Sequence, residues 1–410
     1  MVSIFWLFLG ALLILWSLQA RSPNAELGMA STDASDQNGS ENQETWNPIV
    51  ICRIADSEDI YDLKWSPCGS FIILALTNNN TVIWCYSTGN AHACYPLGKI
   101  TRILRDHSHF VQGISLDPLG FLFATQSSDR YRMFLVILRS VKVYSYENHK
   151  KFSTKCIHIL SRVPSNQCAE VSGKPTYAKL FNDETLVTFF RRLSFSPDGS
   201  ILATPCGIIA DATSPFARRQ HLCLFLYSRA SLLTTAQAMP SIVLGPFDKA
   251  PVVVRFHPSL FQLIGGTSLI SLPYAMVFAV GTQDSVIIYR TDRASPLVVL
   301  NGMHFAAITD LCWTKICKDD SIVLVISSTD GFCSSIVFEN NELGTIYAGQ
   351  VEETIVEPEE TIVEPEETIV EPKETIVQSA PCISSKDVVR ALSSSISKRS
   401  LEAEIQSFVC

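Results

Sequence analysis

Residues 189–207 read FFRRLSFSPDGSILATPCG, and this stretch decides the fold. Leu193 and Phe195 alternate with Ser194 and Ser196, the period of a half-buried strand. Ser196, Pro197, Asp198 and Gly199 fit a type I turn: Ser comes first, Pro presets φ in second place, and Gly stands fourth. Residues 200–204 run back as a second strand. The unit is a hairpin with one apolar face and a tight polar corner.

The unit recurs. Residues 60–65 (IYDLKW) alternate, Ser66-Pro67-Cys68-Gly69 turns, residues 71–76 return, and 81–84 add a third strand. A second copy runs over 111–116, turns at Asp117-Pro118-Leu119-Gly120, and returns over 121–125 before Ser128-Asp129-Arg130. The opening stretch is the third copy. The fourth takes 252–256, His257-Pro258, 275–280 and 283–289. The fifth takes 308–313 (ITDLCW), 321–327, Thr329-Asp330-Gly331 and 333–338.

Trp65, Leu116, Phe195, Phe256 and Trp313 hold equivalent places, roughly 50 to 80 residues apart, against ~40–45 for a plain WD-type unit. Insertions account for the excess, at 90–97, 131–138, 150–179 and 211–220, and are expected as surface loops. Residues 131–138 (YRMFLVIL) interrupt the third strand of copy two, so Asp129-Arg130 is expected to lead straight into 140–144. A unit of this kind cannot bury its faces alone and must stack radially on its neighbours. The sequence therefore predicts an all-β, WD-repeat β-propeller over 46–346, with about five complete blades.

Composition narrows the function. The chain has 410 residues, 47% of them hydrophobic and 18% charged, enough for one large β core with extra tails. Its net charge of −8 excludes a sequence-wide basic field, so no direct sequence-specific DNA binding is expected. Of the 13 cysteines, Cys85, Cys206, Cys223, Cys312 and Cys333 sit in apolar strand-like runs, as buried free thiols do. No CxxC pair or zinc-like Cys/His spacing occurs, and an odd count without a framework favours a reducing compartment. Phosphate-loop, dinucleotide, nucleophile-elbow and zinc-protease motifs are missing too. No catalytic, cofactor or metal residue is expected, nor a small-molecule substrate: the chain reads as a binding protein, not an enzyme.

The ends differ from the middle. Residues 1–30 are apolar, and 4–16 (IFWLFLGALLILW) fit two readings: a signal-like hydrophobic region, or an inner β-strand ending over 12–18 as the remnant of a further blade. Residues 31–45 form a polar loop. Residues 347–410 carry a low-complexity acidic repeat, ETIVEP, recurring every seven residues. Pro358, Pro365 and Pro372 rule out a coiled coil, so a disordered, extended tail is expected, read first as a spacer and second as an acidic strip for basic partners. Residues 388–392 give a weak helix signal.

Among single residues, Asp62, Asp129, Asp284, Asp310 and Asp330 recur at equivalent places and read as fixing turns or bonding within their own blade. His107, His109 and His304 precede copies two and five and read as in-blade partners, not metal ligands. Trp65, Asp129, Phe195, Asp284, Trp313 and Asp330 are the expected blade-structural residues. Phe189, Phe190, Arg191 and Arg192 lie at the start of an inner strand, near one rim. Either they are solvated there, or they serve as anchors for a protein partner.

Several strings go beyond a generic propeller: residues 189–207, 271–289 (SLPYAMVFAVGTQDSVIIY), 308–313, 326–344 (ISSTDGFCSSIVFENNELG), 110–125 (FVQGISLDPLGFLFAT) and 59–65 (DIYDLKW). Over about 46–344 the chain resembles the WD-repeat subunit of chromatin assembly factor 1, a histone chaperone, and its relative, the HIRA-type chaperone. The resemblance implies a seven-bladed propeller in the nucleus. It implies binding to the large subunit of chromatin assembly factor 1 and help in depositing core histones three and four on newly replicated DNA. It also implies contact with the anti-silencing histone chaperone.

The chain departs from that pattern. About two blades before residue 46 are missing, so 12–18 and 30–45 read as the end of the second blade and its following loop, and 1–9 as a truncated or mispredicted start. Residues 131–138 read as an unspliced in-frame insertion. The short basic tail motif for the anti-silencing chaperone has no clear match, Lys398-Arg399 being too little. The competing expectations are a secreted or membrane-anchored propeller, if 4–16 acts as a signal sequence into the secretory pathway, and a ubiquitin-ligase adaptor propeller.

Overall fold

The computed structural model describes residues 4–9, 12–19, 45–53, 58–85, 99–131, 136–137, 139–148, 152–165, 176–182, 188–210, 220–265, 270–315, 321–339 and 341–348. Most of the expected polar loop, the 90–97 and 211–219 insertions and the repeat tail from 349 onward lie outside the described residues. Strands Ile4–Leu9 (β1), Leu12–Gln19 (β2) and Thr45–Arg53 (β3) pair in that order as an antiparallel sheet. Residues 4–9 and 12–19 are thus both strand. Among the described residues no helix is long and apolar enough to cross a membrane.

Five antiparallel blades follow. The first consists of Ile60–Trp65 (β4), Phe71–Leu76 (β5), Thr81–Cys85 (β6) and Lys99–Leu104 (β7). The second has Val111–Leu116 (β8) and Leu122–Ser127 (β9). The chain then leaves the blade as a hairpin, Arg130–Tyr131 (β10) and Val136–Ile137 (β11). It returns as Ser140–Asn148 (β12) and Phe152–Leu160 (β13). Ser140 pairs with Ser127 as if nothing stood between them, so the insertion is extruded without disturbing the sheet. A second small hairpin, Arg162–Ser165 (β14) and Thr176–Lys179 (β15), leads to the third blade.

That blade is Ser194–Phe195 (β16), Ile201–Ala210 (β17), Gln220–Ser228 (β18) and Ile242–Phe247 (β19), with a short helix, Arg229–Leu233 (α1), after β18. The fourth is Val253–Phe261 (β20), Ala275–Gly281 (β21), Ser285–Arg290 (β22) and Val298–Asn301 (β23). The fifth has three strands, Ile308–Lys315 (β24), Ile322–Ser328 (β25) and Cys333–Phe338 (β26).

Within 150–179, expected as a surface loop, the described residues 152–165 and 176–179 are almost all strand. Ser153 and Lys155 stand exposed on an outer edge strand, and edge strands carry polar residues that mask their pattern.

The polar corners explain the repeat. In Ser66–Gly69, Asp117–Gly120 and Ser196–Gly199 the Gly N–H donates to the first residue's carbonyl at 2.9, 3.0 and 3.0 Å. Each Gly takes a left-handed φ, +68°, +85° and +71°, where a side chain would be strained. Trp65, Leu116, Phe195, Phe256 and Trp313 pair with Ile72, Phe123, Leu202, Phe278 and Leu324, the same register station in five sheets.

The core lies between blades. Phe71, Ile73 and Ile83 of the first pack on Ile114, Phe123 and Tyr144 of the second. Val141 and Leu160 meet Phe195 and Phe225, Leu226 meets Met276 and Phe278, and Val286 meets Leu311 and Leu324 at the next three interfaces. Blade-to-blade hydrogen bonds keep the same order. Ile114 N–H donates to Asp62 at 2.9 Å, Phe195 N–H to the Ser115 hydroxyl at 2.8 Å, the Tyr274 hydroxyl to Asp198 at 2.7 Å, and Trp313 Nε1 to the Arg255 carbonyl at 3.0 Å.

Candidate functional site

Each inner strand starts at the same end of the molecule, where the turn between the second and third strands of its blade also lies. Hydrogen bonds tie these parts together: within single blades Thr77 N–H donates to the Asp59 carbonyl and Thr329 N–H to Ala307, and Ile308 N–H of the fifth blade donates to Gln283 of the fourth, each within 3.1 Å. This end is the mouth of a central channel.

Below the mouth, charged side chains from several blades meet. Arg192 Nη1 lies 2.9 Å from Asp62 Oδ1 of the first blade, and its Nε lies 3.2 Å from Asp310 Oδ2 of the fifth. Arg255 closes on Asp310 at 2.8 Å and donates to the Leu311 carbonyl at 3.2 Å. Lys64 shares the same field; burial, then the like charge of Arg255, lowers its ammonium pKa. Burial alone would raise the Asp310 carboxyl, but Arg192, Arg255 and Lys64 hold it below the ordinary carboxylate range. A strand's period tells which face a carboxylate sits on, not what stands across the axis. Asp62 and Asp310 accept amides of their own blades as expected, Leu63 N–H at 3.0 Å and Leu311 N–H at 2.8 Å, and they also reach across blades to one guanidinium.

The Arg191–Arg192 pair, expected at the rim, also turns inward. Arg191 is 1% exposed and donates to the Thr188 and Phe190 carbonyls. The Arg192 side chain is 11% exposed, with its guanidinium 4.5 Å above the Phe190 ring. The backbone causes this: Arg191 N–H bonds the Gln112 carbonyl and Arg192 N–H the Val252 carbonyl, so this entry strand is threaded between its two neighbours.

The aromatic half of the pair stays at the mouth. Phe189 lies 4.1 Å from Tyr61 and 5.9 Å from Phe110, and Phe110 lies 4.3 Å from His109. All four are half-buried, so an aromatic floor with open edges lines one side of the mouth.

Two carboxylates set the turns around it. Asp129 Oδ2 meets His107 Nδ1 at 2.8 Å, its Oδ1 accepts Ser108 N–H at 2.7 Å and the Ser127 hydroxyl at 3.2 Å, and Ser140 also donates to it. Against the upward push of burial, these donors hold its carboxyl far below the ordinary range. Asp330 does the same in the fifth blade: it meets His304 at 3.0 Å and accepts the amides of Phe305 and Phe332 at 3.1 and 3.0 Å. With their amides pinned there, the two rings project outward, Phe305 fully exposed and Phe332 67% exposed. The sequence reading missed both rings. Their signal was a Phe one residue after His304 and another two residues after Asp330, in turns where periodicity is silent. Asp284 pairs with Lys249 at 2.9 Å on the same end.

Among the described residues no group of His, Cys, Asp or Glu could hold a metal ion. Exposed aromatics beside buried charges that pair across blades suit macromolecular docking, where aromatic anchors carry most of the energy.

The CAF1B/HIR1 β-propeller domain family model matches residues 10–343. The chromatin assembly factor 1 subunit FAS2 homolog of Oryza sativa subsp. japonica is 36% identical over 298 residues, covering 71% of this chain and 52% of that protein. A chromatin assembly factor 1 subunit of Gallus gallus is 30% identical over 345 residues, covering 82% and 53%. Protein HIR1 of Kluyveromyces lactis is 25% identical over 344 residues, covering 81% and 32%. The chain spans about half the length of the chromatin assembly factor subunits it matches.

Proposed function

This chain belongs to the CAF1B/HIR1 β-propeller family, and from that premise we propose that it is the propeller subunit of a nuclear histone chaperone complex. In this reading it is a non-enzymatic scaffold. It docks the large subunit of chromatin assembly factor 1 and helps deposit core histones three and four on newly replicated DNA. The observation that carries the reading is the family match across residues 10–343, which takes in every described blade.

The mouth supplies the docking surface, through Phe189, Phe190, Tyr61 and Phe110 on one side and Phe305 and Phe332 on the other. Arg191 and Arg192 support it from beneath. The sheet of β1, β2 and β3 serves as a further blade, and the acidic repeat is a spacer. Contact with the anti-silencing chaperone stays outside the proposal, because no basic tail motif supports it.

The test is co-expression of the full chain with the large subunit, followed by size-exclusion chromatography. A one-to-one complex that also retains histones three and four is expected. A chain that elutes alone, or that captures a cullin adaptor instead, would overturn the reading.

A further inference from the structure

The fifth blade stops one strand short of the other four. Each of their third strands, β6, β12, β18 and β22, carries a fourth on its outer side; among the described residues β26 carries none. Exposure follows the same division. The four covered strands are mostly buried, but along β26 only Phe338 is, and Val337 stands 55% exposed. An open cleft of about 660 Å³, lined by Val337, Glu339, Asn341 and Glu342, lies at the far end of this strand. The outer side of β26 therefore has room beside it, and its outward backbone groups form a template for another strand.

The edge sets terms for what can cover it. β26 runs from the mouth toward the opposite end, so an antiparallel partner has to start at that opposite end. The chain itself emerges there. After Phe338 it turns, Gln262 N–H donates to the Thr345 carbonyl and Tyr347 N–H donates to the Leu260 carbonyl, both at 2.8 Å. The same end is acidic: Glu339 and Glu342 share one turn, with Glu339 N–H donating to Glu342 Oε2 at 3.0 Å.

The repeat that follows offers four candidates, because Thr-Ile-Val recurs at 354–356, 361–363, 368–370 and 375–377. All three residues are β-branched and suit a strand. The first three copies are flanked by Glu on both sides, at 352, 353 and 357 and at the same places one and two periods on. The fourth reads Lys373-Glu374-Thr375-Ile376-Val377-Gln378, so its flanks are neutral. With Ile376 opposite Ile336, Thr375 falls opposite Val337 and Lys373 opposite Glu339. Opposite charges facing each other across two strands are stabilising and like charges destabilising, so the acidic turn selects the fourth copy.

We infer that Lys373–Gln378 adds to the outer edge of β26 as the fourth strand of the fifth blade, antiparallel, with Lys373 opposite Glu339. The three acidic copies before it are the tether. Residues 348 to 373 reach roughly 80 Å at full extension, far more than the step to this edge requires. The tether also keeps the segment at a high local concentration, which favours it over a second copy of the chain. This inference is independent of the proposed partners.

The test is hydrogen–deuterium exchange of the full chain, read on the peptide that covers 333–338. Ile376→Pro and Lys373→Glu are each expected to speed exchange there by about tenfold, because local opening of the edge becomes free. Ile362→Pro, the same change in the second copy, is expected to keep the wild-type rate. All three changes lie outside the propeller, so its folding is not at stake. Adding Glu339→Lys to Lys373→Glu is expected to restore wild-type exchange.

Unchanged exchange in both Ile376→Pro and Lys373→Glu would overturn the inference. So would equal acceleration by Ile362→Pro, which would mean that the edge does not select among the copies. Protection of 333–338 in Ile376→Pro that grows with protein concentration would overturn it as well, and would assign the edge to a second copy of the chain.

Discussion

Arg192 Nε lies 3.2 Å from Asp310 Oδ2, although the two residues belong to the third and fifth blades. The same guanidinium holds Asp62 of the first blade at 2.9 Å. One side chain therefore reports that inner strands from the first, third and fifth blades face a common axis. Replacing it with Leu strands two carboxylates in the channel. Arg192→Leu is expected to lower the unfolding free energy by roughly 3 kcal/mol, the low end for a broken buried pair because the Asp310 side chain is 34% exposed and so partly screened. Urea denaturation measures this. Asp310→Asn in the Arg192→Leu background should recover part of the loss, and a purely additive double mutant would deny the coupling.

Asp129 gathers His107, Ser108, Ser127 and Ser140 on one carboxylate. Asp129→Ala should cost about 2–4 kcal/mol, because several donors lose one partner together. Its folded pKa is depressed, so its contribution is complete above the unfolded carboxylate range near pH 4 and is lost as pH falls through the folded value. In acid titrations followed by circular dichroism, the Ala variant should lose less stability than wild type below pH 4. Parallel curves would contradict this.

His257 lies 5.2 Å from both Phe261 and Trp313, and burial pushes it down from 6.5 to about 4. The unfolded chain binds the extra proton between those two values, so folding stability falls as pH drops from about 6.5 to 4. On the order of 2–3 kcal/mol is lost across that window. His257→Asn should flatten the stability profile over the same range in denaturant titrations at fixed pH steps. An unchanged slope would show that this ring is not the group responsible.

The hairpin of β10 and β11 leaves the second blade and returns with Ser140 opposite Ser127. Deletion of 131–138 should keep the fold and shift Tm by only a few degrees, because closing a shorter loop changes little entropy. Loss of cooperative unfolding in the deleted chain would show that the insertion is structural.

Much of this molecule can be read from its residues. Alternation and the Ser/Asp-Pro-x-Gly corners locate the first and second strands of the blades, and Trp65, Phe195 and Trp313 fall at one register station as their spacing implies. The outer strands were harder. Phe152–Leu160 mixes exposed Lys155 with buried Phe152 and Leu160 at an edge, where solvent blurs the pattern.

The candidate site was legible only in part. Phe189 stands out as an aromatic at a strand entrance. Whether Arg191 and Arg192 face water depends on Gln112 and Val252, residues 79 and 60 positions away that local patterning does not reach. Phe305 and Phe332 lie in turns, where no period marks the exposed side.

The most direct measurement is capture of the large subunit of chromatin assembly factor 1 by the full chain with single aromatic changes at either end. Phe305→Asp and Phe332→Asp alter exposed rings at the mouth, so neither should change Tm, whereas Phe121→Asp alters a half-exposed ring at the opposite end. The account predicts at least a tenfold loss of affinity for either mouth variant, the scale of an anchoring aromatic, and wild-type capture by Phe121→Asp. Full capture by both mouth variants, or loss confined to Phe121→Asp, would contradict it.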